Sequence, residues 1–272
     1  MPSPAPPLPT GKLTPPGPTA PPGNRQLEPD AAVRVVVAEL NVRREPRISS
    51  ARDATVPRGA VFLLKGFDPI RADGYTWWFA MQVATLGDGG LPPLPSELES
   101  AGVMGYIAVR SGGTAYVERL PARCPAVADL EGVSAMLSSE RSACFGATSL
   151  TLEGTYGCPV CESMEPYDYE PVWLAAPSLR TISVDVDGYA MTSWLELFVA
   201  PGATEPARGD IVRMRGHFND SRSTDCSIRY RGFESGEPER AIDDTIATAL
   251  CRQHFVVEGF DVIGQDPEYP RE

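Results

Sequence analysis

Proline is concentrated at the amino terminus of this chain, and that distribution limits what the terminus can fold into. Eleven of the 28 prolines lie within the first 30 residues. Proline lacks a backbone N–H donor and favours the extended polyproline II conformation, so this segment is unsuited to a sheet or a packed core. We therefore expect residues 1–30 to be a disordered, extended spacer that is dispensable for folding. A spacer separates a domain from something else, so we also expect an upstream signal or lipid-attachment segment.

Beyond the spacer, short β-rich runs alternate with turn-forming residues, which predicts an all-β protein with minor helix. The 272 residues include 25 glycines and 28 prolines, too many for a mostly helical protein, and the length suits about two domains. Two prolines within residues 120–125 interrupt any strand or helix there. We accordingly place one domain at residues 31–121 and a second at residues 124–267.

Charge differs between the two predicted domains. Residues 31–127 carry 11 basic and nine acidic side chains, whereas residues 128–272 carry 11 basic and 25 acidic ones. The whole chain has a formal charge of −12, and a negative field repels both nucleic-acid phosphates and anionic lipid headgroups. We therefore expect no nucleic-acid partner. We also expect no direct membrane insertion, because no apolar run approaches the roughly 18 residues that a membrane span needs.

Four motifs follow one another in the first predicted domain. They are Leu40-Asn41-Val42-Arg43, a Pro57-Arg58-Gly59 turn before an apolar strand, Asp73-Gly74 ahead of Trp77-Trp78, and Gly105-Tyr106-Ile107. In this order they resemble the pattern of bacterial SH3-like (SH3b) domains over roughly residues 32–119, although the loop at residues 86–102 is longer than the family's usual turn. The resemblance implies a small, strongly bent β-barrel. It also implies an extracytoplasmic module, of a kind that in several cases binds cell-wall peptides or glycans.

Four aromatic side chains of this domain are candidates for ligand binding, namely Tyr75, Trp77, Trp78 and Tyr106. Successive side chains of a strand point to opposite faces, so Trp77 and Phe79 share one face while Trp78 lies on the other. At least one tryptophan is thus predicted to face away from the core, where its ring stacks on a sugar or clasps a peptide. The alternative is that these rings simply cap the core of a small barrel.

The second predicted domain combines five strands with two helices. Asp129 is a candidate N-cap of a helix that stops near Gly146, and apolar spacing predicts another helix at residues 241–250. The strand candidates are residues 149–156, 179–186, 194–200, 210–218 and 254–263.

Glycine-containing patterns at residues 150–154, 209–216 and 256–260 resemble the first, fourth and fifth strands of an OB fold. Residues 143–251 also resemble an uncharacterised bacterial domain often found behind SH3b modules, which implies no activity. The predicted fold is therefore two small β-barrels, SH3-like and then OB-like.

The six cysteines are the most informative group of residues for predicting bridges or metal sites. All lie at or beyond the domain junction: Cys124, Cys144, Cys158, Cys161, Cys226 and Cys251. We interpret them as structural disulfides, which places the protein outside the reducing cytoplasm. Cys226 and Cys251 are expected to pair, because the segment between them must return to the same barrel edge. Our first choice for the others is a bridge from Cys124 to Cys144 and a local bridge from Cys158 to Cys161.

Two functional interpretations of the cysteines, a redox site and a zinc site, stay open as alternatives to structural disulfides. Cys158 and Cys161 form a C-x-x-C pair, which is either a redox motif or half of a zinc site completed by His217 and His254. Four acidic residues follow the pair within ten positions and oppose thiolate formation. A second close pair of zinc ligands is absent from the sequence.

Catalytic motifs such as G-x-S-x-G, H-E-x-x-H and the P-loop are absent from the sequence, which contains only two histidines. We predict a secreted or cell-envelope binding protein that is not an enzyme and uses no cofactor. Its SH3b-like domain is expected to recognise a cell-wall peptide or glycan or an envelope protein, and the ligand of the OB-like domain is open. The alternative is a hydrolase or a redox or zinc enzyme, marked by His217 or His254 beside a cysteine or carboxylate in a deep pocket.

Overall fold

The computed structural model describes residues 27–65, 69–83, 100–125, 128–134, 136–156, 172–174, 180–185, 194–199, 204, 206–207, 209–230 and 240–267. These residues are mostly β-strand with few helices, so the predicted all-β class with minor helix is confirmed. Within these ranges no helix has both the length and the apolar character that crossing a membrane requires.

Nine strands form the first sheet: β1 (Ala32–Val35), β2 (Glu39–Arg43), β3 (Arg52–Pro57), β4 (Val61–Leu64), β5 (Ile70–Ala72), β6 (Tyr75–Val83), β7 (Ser100–Ser111), β8 (Thr114–Ala115) and β9 (Val117–Arg119). Seven of them are ordered β3-β2-β7-β6-β4-β1-β9, while β5 pairs with β6 and β8 with β7. The β-branched run at residues 33–43 forms parts of two strands, β1 and β2. Strand β1 pairs with β4 and β9, whereas β2 pairs with β3 and β7.

Gly105 allows strands β2 and β7 to cross closely. A Cβ atom at this position would lie 2.7 Å from the carbonyl oxygen of Arg43 and 2.9 Å from Cγ1 of Val42. Any larger residue would push the two strands apart, because neither backbone nor buried side chain can yield by that much. The close crossing brings Arg43 opposite Tyr106 in the β2–β7 ladder.

Five strands of the second unit pair in a closed ring. They are β10 (Leu150–Tyr156), β12 (Arg180–Asp185), β13 (Trp194–Val199), β14 (Asp210–His217) and β17 (Phe255–Gln265). The ring runs β10-β12-β13-β17-β14 and back to β10, and only the pairing of β13 with β17 is parallel among these ladders. All five strands lie within two residues of their predicted positions.

Two short helices precede the ring where one was predicted: α1 (Leu130–Ser134) and α2 (Ser138–Phe145). Leu137 separates them because its backbone is extended, with φ −60° and ψ 135°. Gly146 ends α2, as expected, with a positive φ of 55° that suits glycine.

A long connection between β14 and β17 carries elements that the sequence only partly predicted. It contains a 3-10 turn (Ser221–Asp225), β15 (Ser227–Tyr230), β16 (Arg240–Ala241) and α3 (Asp244–Arg252). Strand β11 (Val172–Leu174) joins β15 and β16 in a separate three-stranded sheet. Helix α3 starts three residues later than predicted because Asp243 is its N-cap and accepts the Thr245 N–H.

Two of the predicted disulfide bridges are present. Cys124 pairs with Cys144 at a Cα–Cα distance of 5.4 Å, and Cys226 pairs with Cys251 at 6.5 Å. The second bridge joins the 3-10 turn to the end of α3 and so closes the long connection on itself. Cys158 and Cys161 lie outside the described residues.

One hydrophobic cluster runs through both units. Its members from the first sheet include Val33, Val42, Phe62, Trp78 and Ile107, and those from the second unit include Phe198, Ile228, Ile246, Leu250 and Val256. A smaller cluster places Leu137, between α1 and α2, against Leu63 and Val83 on the opposite face of the first sheet. The two units therefore share a core and are not modules joined only by a linker.

The last residues of the predicted spacer belong to this fold. Glu28 and Pro29 are buried, and Leu27 packs against the shared cluster. Asp30 donates its N–H to the carbonyl of Leu64 and accepts a hydrogen bond from the Ser138 hydroxyl at 2.9 Å. Residues 27–30 therefore belong to the fold and not to the predicted spacer.

A buried polar cluster lies where the two units meet. The Arg119 guanidinium forms an ion pair with Glu28 and donates to the carbonyl of Ser139 on α2 at 2.9 Å. Next to Ser139, the Glu140 side chain is only 6% exposed. Burial raises the pKa of Glu140 to about 7, against the opposing effects of the Arg123 backbone N–H and of the Arg119 and Arg123 charges.

Candidate ligand-binding surface

Five side chains form a row across the outer face of the first sheet, which we call the outer-face row: Arg52, Arg43, Tyr106, Phe79 and Lys65. Strand register sets their order, because Arg43 pairs with both Arg52 and Tyr106, and Phe79 pairs with Tyr106. Lys65 follows β4 and donates its N–H to the carbonyl of Phe79 at 2.7 Å.

The residues that alternate with this row face the core. Val42, Ile107 and Trp78 are the immediate chain neighbours of Arg43, Tyr106 and Phe79, and each is at most 2% exposed. Since successive strand residues point to opposite faces, the row points away from the core.

Phe79 and Tyr106 make the aromatic centre of the row. Their ring centroids are 5.3 Å apart with an interplanar angle of 69°, an edge-to-face contact. Both side chains are half-buried. The next pair on the same face of β6 and β7 is Met81 with Met104, and Met104 is 54% exposed. The apolar surface therefore extends along these two strands.

The second unit borders this surface on one side. Met81 is partly buried against the small cluster that contains Leu137 and Val83. The apolar outer face of β6 is thus covered at one end by the second unit and open around Phe79.

Arginines border the opposite side of the surface. The Nη1 of Arg43 donates to the carbonyl of Ser50 at 2.6 Å, and the Nη1 of Arg52 lies 3.5 Å from Oδ1 of Asn41. Within the described ranges neither arginine forms an ion pair with a carboxylate, and most N–H donors of their guanidinium groups remain available. At the other end of the row, Lys65 pairs with Asp30 at 2.7 Å.

Trp77 and Trp78 are each 2% exposed, so the expectation that a tryptophan facing away from the core offers its ring to a ligand is wrong. Trp78 is in the core, whereas Trp77 is covered on the other face by strand β5. Ile70 pairs with Trp77, the Trp77 Nε1 donates to the carbonyl of Ala72 at 3.0 Å, and the Tyr75 ring lies 5.6 Å away. Strand β5 was not predicted from the sequence, and neither was the covering of this ring.

The four predicted aromatic residues do not form one site. Tyr75 and Trp77 lie together, with Tyr116 6.1 Å from the Tyr75 ring, while Tyr106 contacts Phe79 instead. Phe79 and Arg43 were not among the predicted site residues. The alternation of β6 placed Phe79 on the same face as Trp77, but which face is open and which residue meets Tyr106 depend on strand register.

His217, the last residue of strand β14, lies between two carboxylates. Its Nε2 is 3.0 Å from Oδ2 of Asp220, and its Nδ1 is 3.4 Å from Oε1 of Glu258. Arg222 binds the same Asp220 carboxylate through its side chain and backbone N–H, and these hydrogen bonds lower the pKa of Asp220 to about 2. Asp220 also caps the 3-10 turn, so this network holds the turn in place.

The other histidine, His254, has different partners. It is buried, its Nδ1 lies 2.9 Å from the carbonyl oxygen of Leu250, and its ring stacks on Phe198 at 4.3 Å. In the part of the chain that the structure describes, no group of three or more His, Cys, Asp or Glu side chains is arranged so that it could hold a metal ion. The cysteines of the predicted zinc or redox site, Cys158 and Cys161, lie outside that part.

Comparisons of the chain with family models, with curated proteins and with solved structures find no match.

Proposed function

We propose that this chain is a non-catalytic, extracytoplasmic binding protein and that the outer-face row is its ligand-binding surface. The observation that carries the proposal is the half-buried pair of Phe79 and Tyr106 on an outward sheet face. Aromatic side chains in this setting offer a large apolar area at low entropic cost, and they contact peptide side chains or sugar rings. The ligand is cell-wall material, a peptide or glycan of the envelope.

The second unit has the role of a support in this proposal. We interpret its ring, which has a parallel pairing of β13 and β17, as OB-like and the first sheet as SH3-like. OB barrels bind ligands through the loops between strands one and two and between strands four and five. Here the second of these loops is closed by the bridge of Cys226 with Cys251, and α3 within it is packed into the shared core. That packing favours the first sheet as the binding unit.

The two disulfides support a location outside the reducing cytoplasm. A hydrolase in the second unit is the competing function, and His217 beside Asp220 and Glu258 is the observation that favours it. Arg222 already neutralises Asp220, which makes the histidine network more suited to holding the turn than to activating a substrate.

A pull-down of the full chain with purified, insoluble cell walls tests the proposal. Tyr106→Ala is expected to lower the bound fraction at least tenfold, because it removes the aromatic centre of the row. Tyr75→Ala is the matched control, since Tyr75 is a half-buried tyrosine of the same sheet that contacts Trp77 instead. Urea unfolding of both variants shows that each is folded at the assay temperature.

Three outcomes would contradict the proposal. The wild-type chain fails to bind cell walls, the Tyr106 variant binds as well as wild type, or the Tyr75 variant loses binding to the same extent. The last outcome would move the site to the cluster around Trp77.

A further inference from the structure

We infer that the ligand of the outer-face row is an extended peptide that carries a carboxylate about three residues from an apolar side chain. The inference rests on the proposed binding role of the row and names the class of ligand that the row selects.

Ion pairing near the row indicates where an anionic group would bind. Three neighbouring basic residues have acidic partners: Arg44 pairs with Asp53, Arg47 with Glu45, and Lys65 with Asp30. Arg43 and Arg52 have none among the described residues, although the chain carries 12 more acidic than basic charges. These two arginines are also the ones that strand register places on the outer-face row.

Arg43 is held in a position that suits a carboxylate. Its Nη1 is fixed by the carbonyl of Ser50 at 2.6 Å, which leaves its other N–H donors for a ligand. The planar guanidinium binds carboxylates through two parallel hydrogen bonds. Directly opposite strand residues have their Cβ atoms about 5 Å apart, so a ligand that covers Tyr106 is within reach of Arg43.

The aromatic pair suits an apolar side chain better than a flat sugar. Phe79 and Tyr106 meet at 69°, so they present a notch and not one continuous plane. The exposed Met104 beside them adds a flexible apolar wall. A notch of this kind accepts a branched or aromatic side chain.

The spacing of the two subsites follows from the sheet. Strands β2 and β6 are separated by β7, and neighbouring strands lie about 4.8 Å apart, so Arg43 and Phe79 are about 10 Å apart across the sheet. A peptide in the extended polyproline II conformation rises about 3.1 Å per residue and returns to the same face every three residues, so two side chains three positions apart match this spacing.

Calorimetric titration of the full chain with synthetic peptides tests the inference. The probe is a capped hexapeptide with Asp and Phe three positions apart, and its comparison peptide has Asn in place of Asp. The acidic peptide is expected to bind at least tenfold more tightly. Arg43→Gln should abolish that difference by lowering the affinity for the acidic peptide.

Arg44→Gln is the matched control, because Arg44 is the next arginine in the chain but is already paired with Asp53. It should leave both affinities within twofold of wild type. Arg52→Gln provides a second removal of charge from the row in case the Arg43 variant fails to fold, and a reduced preference for the acidic peptide is expected there too.

Results with cell walls separate this inference from the proposed function. If binding to cell walls needs Tyr106 but is unchanged in Arg43→Gln and Arg52→Gln, or if peptide-free glycan strands bind as well as whole walls, the peptide inference is overturned while the binding role stands. If the wild-type chain binds neither the walls nor the acidic peptide, both proposals fail.

Discussion

Glu140 makes the stability of this fold depend on pH. Its folded pKa is about 7, raised from an ordinary 4.5 mainly because the side chain is buried. Folding therefore favours the protonated acid. The stabilising contribution is complete below pH 4.5, where both states are protonated, and it is lost as the pH rises through 7. A difference of 2.5 pKa units corresponds to about 3 kcal/mol in the free energy of unfolding.

Glu140→Gln tests this reasoning, because glutamine keeps an acceptor for the Arg123 N–H but has no charge to bury. The assay is urea unfolding of the full chain at pH 5, 6, 7 and 8, followed by the fluorescence of the buried Trp77 and Trp78. The variant and wild type should be similar at pH 5. The variant should be more stable at pH 8, by up to about 3 kcal/mol.

Glu39→Gln is the control, since Glu39 is an exposed carboxylate on β2. Comparing each variant with wild type at the same pH removes the contribution of the other titrating groups. Equal pH dependence in wild type and Glu140→Gln would refute the assignment. So would a destabilised variant at pH 8, which would mean that the ionised carboxylate is held by Arg119 and Arg123 and is favourable.

Two further predictions concern the amino-terminal residues and the bridge of Cys226 with Cys251. Removal of residues 1–26 should leave the free energy of unfolding unchanged. Removal of residues 1–30 should lower it by about 3 kcal/mol, because the buried ion pair of Glu28 is lost. Equal stabilities of the two truncated chains in urea unfolding would show the reasoning to be wrong. Replacing Cys226 and Cys251 together by alanine should cost about 3 to 4 kcal/mol, the entropy of closing a loop with a separation of 25, and non-reducing peptide mapping that recovers either cysteine as a free thiol would argue against the bridge.

Local patterns predicted the second unit well. The five ring strands and the stop of α2 at Gly146 follow from hydrophobic runs and glycine, which act over a few residues. The bridge of Cys226 with Cys251 followed from the need of one connection to return to its starting edge. Such features depend on chain segments that are close in sequence.

Features that depend on register were not predicted. The alternation of β6 put Trp77 and Phe79 on one face, but only pairing decides which ring is covered. Strand β5 covers Trp77, and Tyr106 meets Phe79 because the register of β6 and β7 places them opposite each other. The candidate site is assembled from strands that are up to about 60 positions apart in the chain. The alternation of side chains within one strand does not determine how such distant strands pair.

The burial of Leu137 against the first sheet has a consequence for biosynthesis. The nine strands of that sheet are complete once residue 119 has been made, but Leu63 and Val83 are then still uncovered, and α3 arrives more than 120 residues later. An apolar face of a nearly finished unit is thus open to solvent while the remainder is translated, and during export if the chain is secreted. Exposed apolar surfaces of this kind are what chaperones bind and where nascent chains aggregate. The acidic second half of the chain, with 25 acidic residues after position 127, is made during that interval and adds charge to the nascent chain while the apolar face is uncovered.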